Sequence, residues 1–587
     1  MKKFASLCCA ALLTLCTACS AAGEVQSSSV PIGDTVEKTP VSDINGVSLT
    51  DNPLLYENTD PTGVRTFYLT VSKGNDGDGT NHTWSQINTY SVYDYDDMNV
   101  DRYKVAAILQ EGDENGPVDG EFGYGVTTPN ATVQIRGQTS SKYAQKNYKI
   151  KIRNEAGAID GQQTIALNKH WGDPTRMRNK LMYDLMTEIP EMMSLRTHFV
   201  RLYVKDTTTG NDNAAFTDYG LYTWVEQLNK TALNAHGADK NGQLYKINYF
   251  EFFRYEDVIK LKTEADYDVK KFEEKLEIKG NDDHSKLIAM LDAVNDYSRP
   301  IEDVCLQYFD MDNMLTWMAF HILTGNIDTQ SRNVYIYSPL NGEKWYFWSW
   351  DNDIALNIAN IKLNEGFDGY GWECGISNYW GNVLFNRVLK SSEYRDKLDG
   401  IIEKLYSGVL SPSHVQTLAS EYANVTTPYI YSMPDILHAP RTQAQHDEIV
   451  SSMGSEVTLN YDNYKANLDY PMPFFIGVPA VSDNGYACEW DAAYDFEGRD
   501  ITYTAQISTS FNFDKIVAEY TGSGLQIETP KLEAGQYFIK VTATNSLGNT
   551  QPAFDYYDTA ESQKVFGVKS FFVQSDGSIK EDVDEWV

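Results

Sequence analysis

Apolar and polar residues alternate through RTFYLTVS, a run that begins near Val64, and short strand-like runs return in YKVAAILQEGD, ATVQIR, NYKIKIR, HFVRLYVK (198–205) and YGLYTWVEQLNK (219–230). A period of two sends successive side chains to opposite faces, so these segments predict β-strands. After Asp173 the period changes. Met177, Leu181, Met182, Leu185, Met186 and Ile189 recur at helical spacing, with Asp173 as N-cap, Pro174 at the first helical position and Pro190 as the stop. Further helices are predicted from about 285 to 325, and from LKSSEYRDKLDGIIEKLYSGVL to near Pro440. The run MDNMLTWMAFHILTGN is apolar almost all round, which predicts a buried helix ending at Gly325.

From about Pro473 the pattern shifts to short alternating segments separated by turn residues, including ACEWDAAYDFEGRDITYTAQIS and GQYFIKVTATNSLGNTQ. That spacing predicts a β-sandwich of about 100 residues. The Trp490 strand, the LEAGQY turn and the VTAT strand resemble fibronectin type III and related immunoglobulin-like modules.

The first residues read as an export signal: Lys2 and Lys3, an apolar run to about Leu15, then small residues up to Cys19. The ending CTAC-S resembles a bacterial lipobox, with Cys16 where Leu is usual, and implies lipidation at Cys19. The expected organisation is a signal over 1–19, a flexible linker over 20–60, a catalytic-type domain over 61–465, the sandwich over 470–570 and a tail over 571–587. The expected location is outside the cytoplasm, tethered by lipid to the outer face of the bacterial cell membrane. A net charge of -33 argues against nucleic acid or anionic lipid as the main partner, because both need a basic face. Membrane contact would then come only through the lipid.

The chemistry concentrates in residues 325–356, GNIDTQSRNVYIYSPLNGEKWYFWSWDNDIAL. Asp328 stands five residues before Asn333; two strand-like runs follow, and then the acids Asp351 and Asp353. Hard oxygen donors at the ends of adjacent strands suit a divalent metal set against phosphates. The D-x4-N spacing matches the catalytic loop of protein kinases. Upstream, the small-residue loop RGQTSS leads into a strand with Lys149 and Lys151 on one face, an arrangement that suits phosphate. GNDGDGTN (74–81) reads as a Gly/Asp turn, since the distal Glu of an EF-hand loop is missing. The chain has no G-x4-GK[ST] loop, HExxH, GxSxG elbow or Cys/His zinc spacing. Its nine His are scattered and read as structural.

RGQTSSKYAQKNYKIKI, MRNKLMYDL, GLYTWVEQLNK, and D-x4-N followed by WSWDND occur in this order over roughly 65–440. Together they resemble the CotH kinase family, atypical protein kinases first associated with spore coats. The resemblance implies an α+β chain: a two-lobed, atypical protein-kinase-like domain, here followed by the all-β sandwich. It implies binding of ATP with Mg²⁺ (or Mn²⁺) and phosphorylation of Ser or Thr in protein substrates. Asp328 would be the catalytic acid, Asn333 and Asp351 metal ligands, and Asp353 an auxiliary one. Lys151 is the first candidate for the ATP phosphates, with Lys149 and Lys146 as alternatives. Arg136 and Ser140 lie in the loop block, and Arg178 and Glu226 would be cleft and hinge residues. Gln145 departs from the family pattern where many members carry Lys. A second reading remains open: a non-catalytic surface protein that adheres or binds carbohydrate on a kinase-like scaffold, with cell-wall or glycan contact through the C-terminal module.

Overall fold

The alternating segments pair into a sheet that closes on itself. In a computed structural model, which describes residues 49–57, 59–363, 371–559 and 563–582, the strands are Val64–Ser72 (β1), Val105–Asp113 (β2), Gly116–Pro117 (β3), Ala131–Arg136 (β4), Asn147–Ile152 (β5), Thr164–Asn168 (β6), Thr197–Asp206 (β7) and Thr217–Glu226 (β8). Their order is β1-β7-β8-β6-β5-β4-β2-β3, and β1 also pairs with β2, so seven strands form a barrel. Only the β1–β7 pair is parallel. One set of alternating positions fills the interior: Phe67, Leu69 and Val71 of β1 meet Tyr148, Ile150 and Ile152 of β5 and Trp224 of β8. Since Ile150 points inward, Lys149 and Lys151 stand on the outer face.

Outer-face residues Phe199, Leu221 and Val225 join a second apolar core. Its centre is the helix Met311–Thr324, which has twelve buried residues and so reads as apolar on every side. Asp310 caps its start by accepting from the Asn313 amide at 2.9 Å. Gly325 ends it at φ 62°, where a Cβ would meet Asn460 at 2.7 Å. Beside the helix lies a four-stranded sheet of Gln243–Asn248 (β9), Leu276–Ile278 (β10), Arg332–Ser338 (β11) and Tyr346–Ser349 (β12), in the order β10-β9-β11-β12. The helix Gln443–Asn467, which periodicity did not single out, packs on the central helix, and its Asn460 amide donates to the Leu323 carbonyl at 3.0 Å.

The C-terminal strands form a three-stranded and a six-stranded sheet around one core that includes Ile476, Cys488, Trp490, Ile507, Val541 and Phe571. Phe571–Val573 pairs with Ile579–Glu581, so much of the segment expected as a tail is sheet. At the other end, residues expected to be linker are docked: Asp51 bonds the Ser194 amide at 3.0 Å and His236 at 2.6 Å. The signal segment and Cys19 lie outside the described residues. None of the described helices is long and apolar enough to cross a membrane. The 74–81 segment closes on itself as a turn, with Gly74 and Thr80 bonded to each other's neighbourhood through Gly74 N–Thr80 O at 2.8 Å and Thr80 N–Asn75 O at 3.0 Å.

The helix expected from Asp173 begins later, at Arg178. Arg176 takes a left-handed φ of 53°, which interrupts the helix, and Asp173 caps from outside by accepting from the amides of Thr175 (2.9 Å) and Arg178 (3.0 Å).

Barrel and helical region are joined by a buried charge cluster at Asp435. Its carboxylate meets Lys169 and Arg176, each at 2.7 Å, the Gln145 amide at 2.8 Å and the Leu221 amide at 2.8 Å. Gly220, at φ 77°, is required there, because a Cβ would stand 2.1 Å from Asp435. Gln145 also accepts from Arg176 at 2.8 Å. With two cations already on one carboxylate, a third at position 145 would be unpaired, which accounts for the amide. Asp435→Ala leaves both buried cations without a counter-ion and is expected to cost about 3–5 kcal/mol, read as a lower urea midpoint.

Candidate active site

The register of β11 and β12 brings the predicted metal ligands together. Val334 pairs with Ser349, and the next link is the Trp350 amide donating to the Asn333 carbonyl at 3.1 Å. Asn333 therefore stands opposite Trp350, the residue before Asp351, where the β11–β12 pairing ends, and Asn333 and Asp351 both take left-handed φ values of 56°. Such backbone is uncommon outside glycine and collects at functional sites. Asp353 follows two residues later, its Oδ2 3.5 Å from His170 Nδ1.

The Asp351 carboxylate forms no hydrogen bond or ion pair among the described residues. Burial, and then the negative charge of Asp353, push its pKa up to about 6, against weaker opposing pulls from His170, Lys246 and Arg136. Arg136 lies across from it, donating to Asn168 and 5.9 Å over the Trp350 ring. Next on the outer barrel face is Lys149, half-buried and without an acidic partner among the described residues. Burial, then the positive charges of Lys279 and Arg136, lower its pKa. Arg136 and Lys246 are thus basic side chains that act on Asp351 without pairing with it, and Lys149 stands beside Arg136 on the barrel wall.

Asp328 lies in the short turn Ile327–Thr329 after the central helix. Its carboxylate is paired with Arg332, which donates to Tyr249 at 2.7 Å. The turn is pinned by side-chain amides: Asn378 donates to the Ile327 carbonyl at 3.2 Å and Asn382 to the Gln330 carbonyl at 2.8 Å. Thr329 bonds the Tyr379 hydroxyl at 2.8 Å. Asp328 also lines a cavity of about 290 Å³, shared with Ile354, Asn357, Asn378 and Asn460.

Other candidates sit elsewhere. Lys151 is exposed, one pleat beyond Lys149, so Lys149 stands nearer the acids. Lys146 is buried and donates to the Ser141 carbonyl at 2.6 Å, away from the cleft. Ser140, in the turn Thr139–Lys142, accepts from Asn147 at the start of β5 at 3.0 Å. Arg178 is fully buried: it donates to Asp173 at 2.5 Å and to the Leu356 carbonyl at 3.2 Å, and so braces the loop after Asp353. Glu226 lies in a buried cluster with Arg196 (2.5 Å) and His236 (2.9 Å). Burial opposes its ionisation, yet the His236 and Arg196 contacts hold its pKa down to about 2. Asp51 and Glu226 raise His236 to about 9, also against burial. His170 and Asn179, which bear on the acid loop, carry no sequence signal that separates them from structural residues.

The donor set fits Mg²⁺ or Mn²⁺. Among the described residues no group of three or more His, Cys, Asp or Glu could hold an ion alone, and Mg²⁺ typically takes one or two carboxylates and completes its shell with water and substrate phosphates. The family described as CotH kinase protein matches residues 133–464, more than half of the chain, and the chain belongs to it. It is also similar to the inner spore coat protein H of Bacillus subtilis (strain 168), with 21% identity over 294 residues, covering 48% of this chain and 73% of that protein. Family membership carries a kinase-like role.

Two measurements test these electrostatics. Asp351→Asn removes the like-charge repulsion and suits the left-handed backbone, so it is expected to stabilise the apo protein at pH 7.5 by about 1–2 kcal/mol; a lower melting temperature would contradict this. His236, raised above its ordinary 6.5 to about 9, stabilises fully below pH 6.5 and progressively less as pH rises through 9. Hydrogen exchange at residues 50–56 is therefore expected to show declining protection over that window, and His236→Gln to flatten the trend.

Proposed function

We propose that the chain is an ATP- and Mg²⁺-dependent phosphotransferase that phosphorylates Ser or Thr hydroxyls of exported surface or coat proteins, with a two-lobed kinase-like arrangement of barrel and helical region around the cleft. One observation carries the reading: the buried Asp351 carboxylate, next to Asp353, makes no ion pair or hydrogen bond among the described residues, although Arg136 and Lys246 act on it from nearby. A structural acid in that position would be paired.

Asp351, Asp353 and Asn333 would hold the ion, and Mg²⁺ bound there neutralises charge on the nucleotide phosphates. Lys149, rather than Lys151, and Arg136 would hold phosphate oxygens from the barrel side. Asp328, oriented by Arg332, accepts the proton of the attacking hydroxyl at its carboxylate. The new bond joins that oxygen to the γ-phosphorus as the bond to the β–γ bridging oxygen breaks, and ADP leaves. The Bacillus subtilis relative's name supports a coat or extracellular setting, and a lipid anchor at Cys19 is part of the same reading.

A second reading, a surface protein that contacts glycans without turnover, is favoured by a concavity of about 300 Å³ in the C-terminal region, where exposed Phe475 and Tyr556 stand beside Asp555 and Glu581. ATP with Mg²⁺ is expected to raise the melting temperature of the full exported chain, and Asp351→Ala to abolish the rise. Asp328→Asn is expected to keep nucleotide binding within a few-fold while transfer of labelled γ-phosphate to an acceptor protein falls about 10²–10⁴-fold. No shift with wild type would leave the glycan reading.

A further inference from the structure

The acid loop is held from behind by two side chains that sequence patterning did not mark. Asn179, buried near the start of the helix Arg178–Thr187, accepts the Asn352 amide on its Oδ1 at 3.1 Å. That bond fixes the orientation of the side-chain amide and turns Nδ2 toward His170 Nε2, 3.4 Å away. An amide nitrogen only donates, so His170 Nε2 accepts and the ring hydrogen belongs on Nδ1. Nδ1 faces Asp353 Oδ2 at 3.5 Å. His170 is itself buried and held at φ 47°, so the ring is fixed from both sides. From the other side, Asn326 donates to Asn352 Oδ1 at 3.2 Å.

These contacts make the two acids unequal. Asp351 faces the cleft without a partner, whereas one oxygen of Asp353 is turned to an imidazole N–H. We infer that His170, oriented by Asn179, is a positioning residue that aims the other Asp353 oxygen at the metal of the proposed phosphotransferase, an inference that rests on that function. A histidine N–H on a ligating carboxylate is the kind of outer contact whose loss weakens metal binding about 10–100-fold.

The test uses the full exported chain and Mn²⁺ with a non-hydrolysable ATP analogue, reading free Mn²⁺ by electron paramagnetic resonance. His170→Gly tolerates the left-handed backbone and removes the ring; His170→Asn tolerates it and places a donor near Nδ1. His170→Gly is expected to need at least tenfold more Mn²⁺ for half-saturation, with kcat at saturating metal within a few-fold of wild type, and His170→Asn is expected to restore most of the affinity. In an Asp353→Ala background, His170→Gly should change nothing further. Equal titrations of wild type and His170→Gly would overturn the inference and leave the function standing; so would His170→Asn binding as weakly as His170→Gly. Wild type that binds no Mn²⁺ would overturn both. Should His170→Gly fail to fold, Asn179→Ala carries the test, because it removes the amide donor that orients the His170 ring without adding a charge beside it. The same loss of Mn²⁺ affinity is expected, and unchanged affinity would overturn the inference.

Discussion

The hydrogen bond from the Trp350 amide to the Asn333 carbonyl, 3.1 Å long, is the constraint on which the site depends. It continues the β11–β12 ladder one step past its regular end and sets the left-handed Asn333 opposite Trp350, the residue before the left-handed Asp351. Neither residue would take that backbone in isolation at no cost. The cost is met by what lies beneath: a helix buried on all faces, closed by Gly325 against Asn460, and aromatic strands that admit no shift of register. A slip of one residue would turn Tyr346, Phe347 and Trp348 to the wrong faces, so packing enforces the register that builds the site.

The barrel contributes the opposite charge by the same logic. Tyr148, Ile150 and Ile152 must point inward, which leaves Lys149 and Lys151 outside, and the outer face of neighbouring strands is already packed on the helical core. The Asp435 cluster joins the two parts through one carboxylate shared by Lys169 and Arg176. Unlike Asp351, this buried acid is fully compensated. The paired acid at the junction has a structural role that its partners explain, whereas no ion pair among the described residues explains the buried Asp351.

Much of this was legible in the chain. Alternation marked the strands, the all-apolar run marked the central helix, and D-x4-N with the paired acids marked the loops that the fold brings together. Residues whose environment is set by distant segments were not legible. Arg178 looked like a cleft residue because it follows a helix start, but it is buried against Asp173 and the Leu356 carbonyl. Glu226 looked like a hinge because it ends a strand, but its partners Arg196 and His236 come from other elements. Lys149 and Lys151 share one face, and only the placement of Arg136 and Lys279 separates them. Asx and His side chains that orient a loop, such as Asn179 and His170, leave no periodic trace at all.

The central claim is that Asp351 is an acid waiting for a cation that arrives with phosphate. The most direct measurement is anomalous diffraction from crystals of the protein grown with Mn²⁺ and a non-hydrolysable ATP analogue. The account predicts a manganese peak bound by Asp351, with the analogue's phosphates turned toward Arg136 and Lys149. A nucleotide bound elsewhere, or manganese seated away from Asp351, would contradict it.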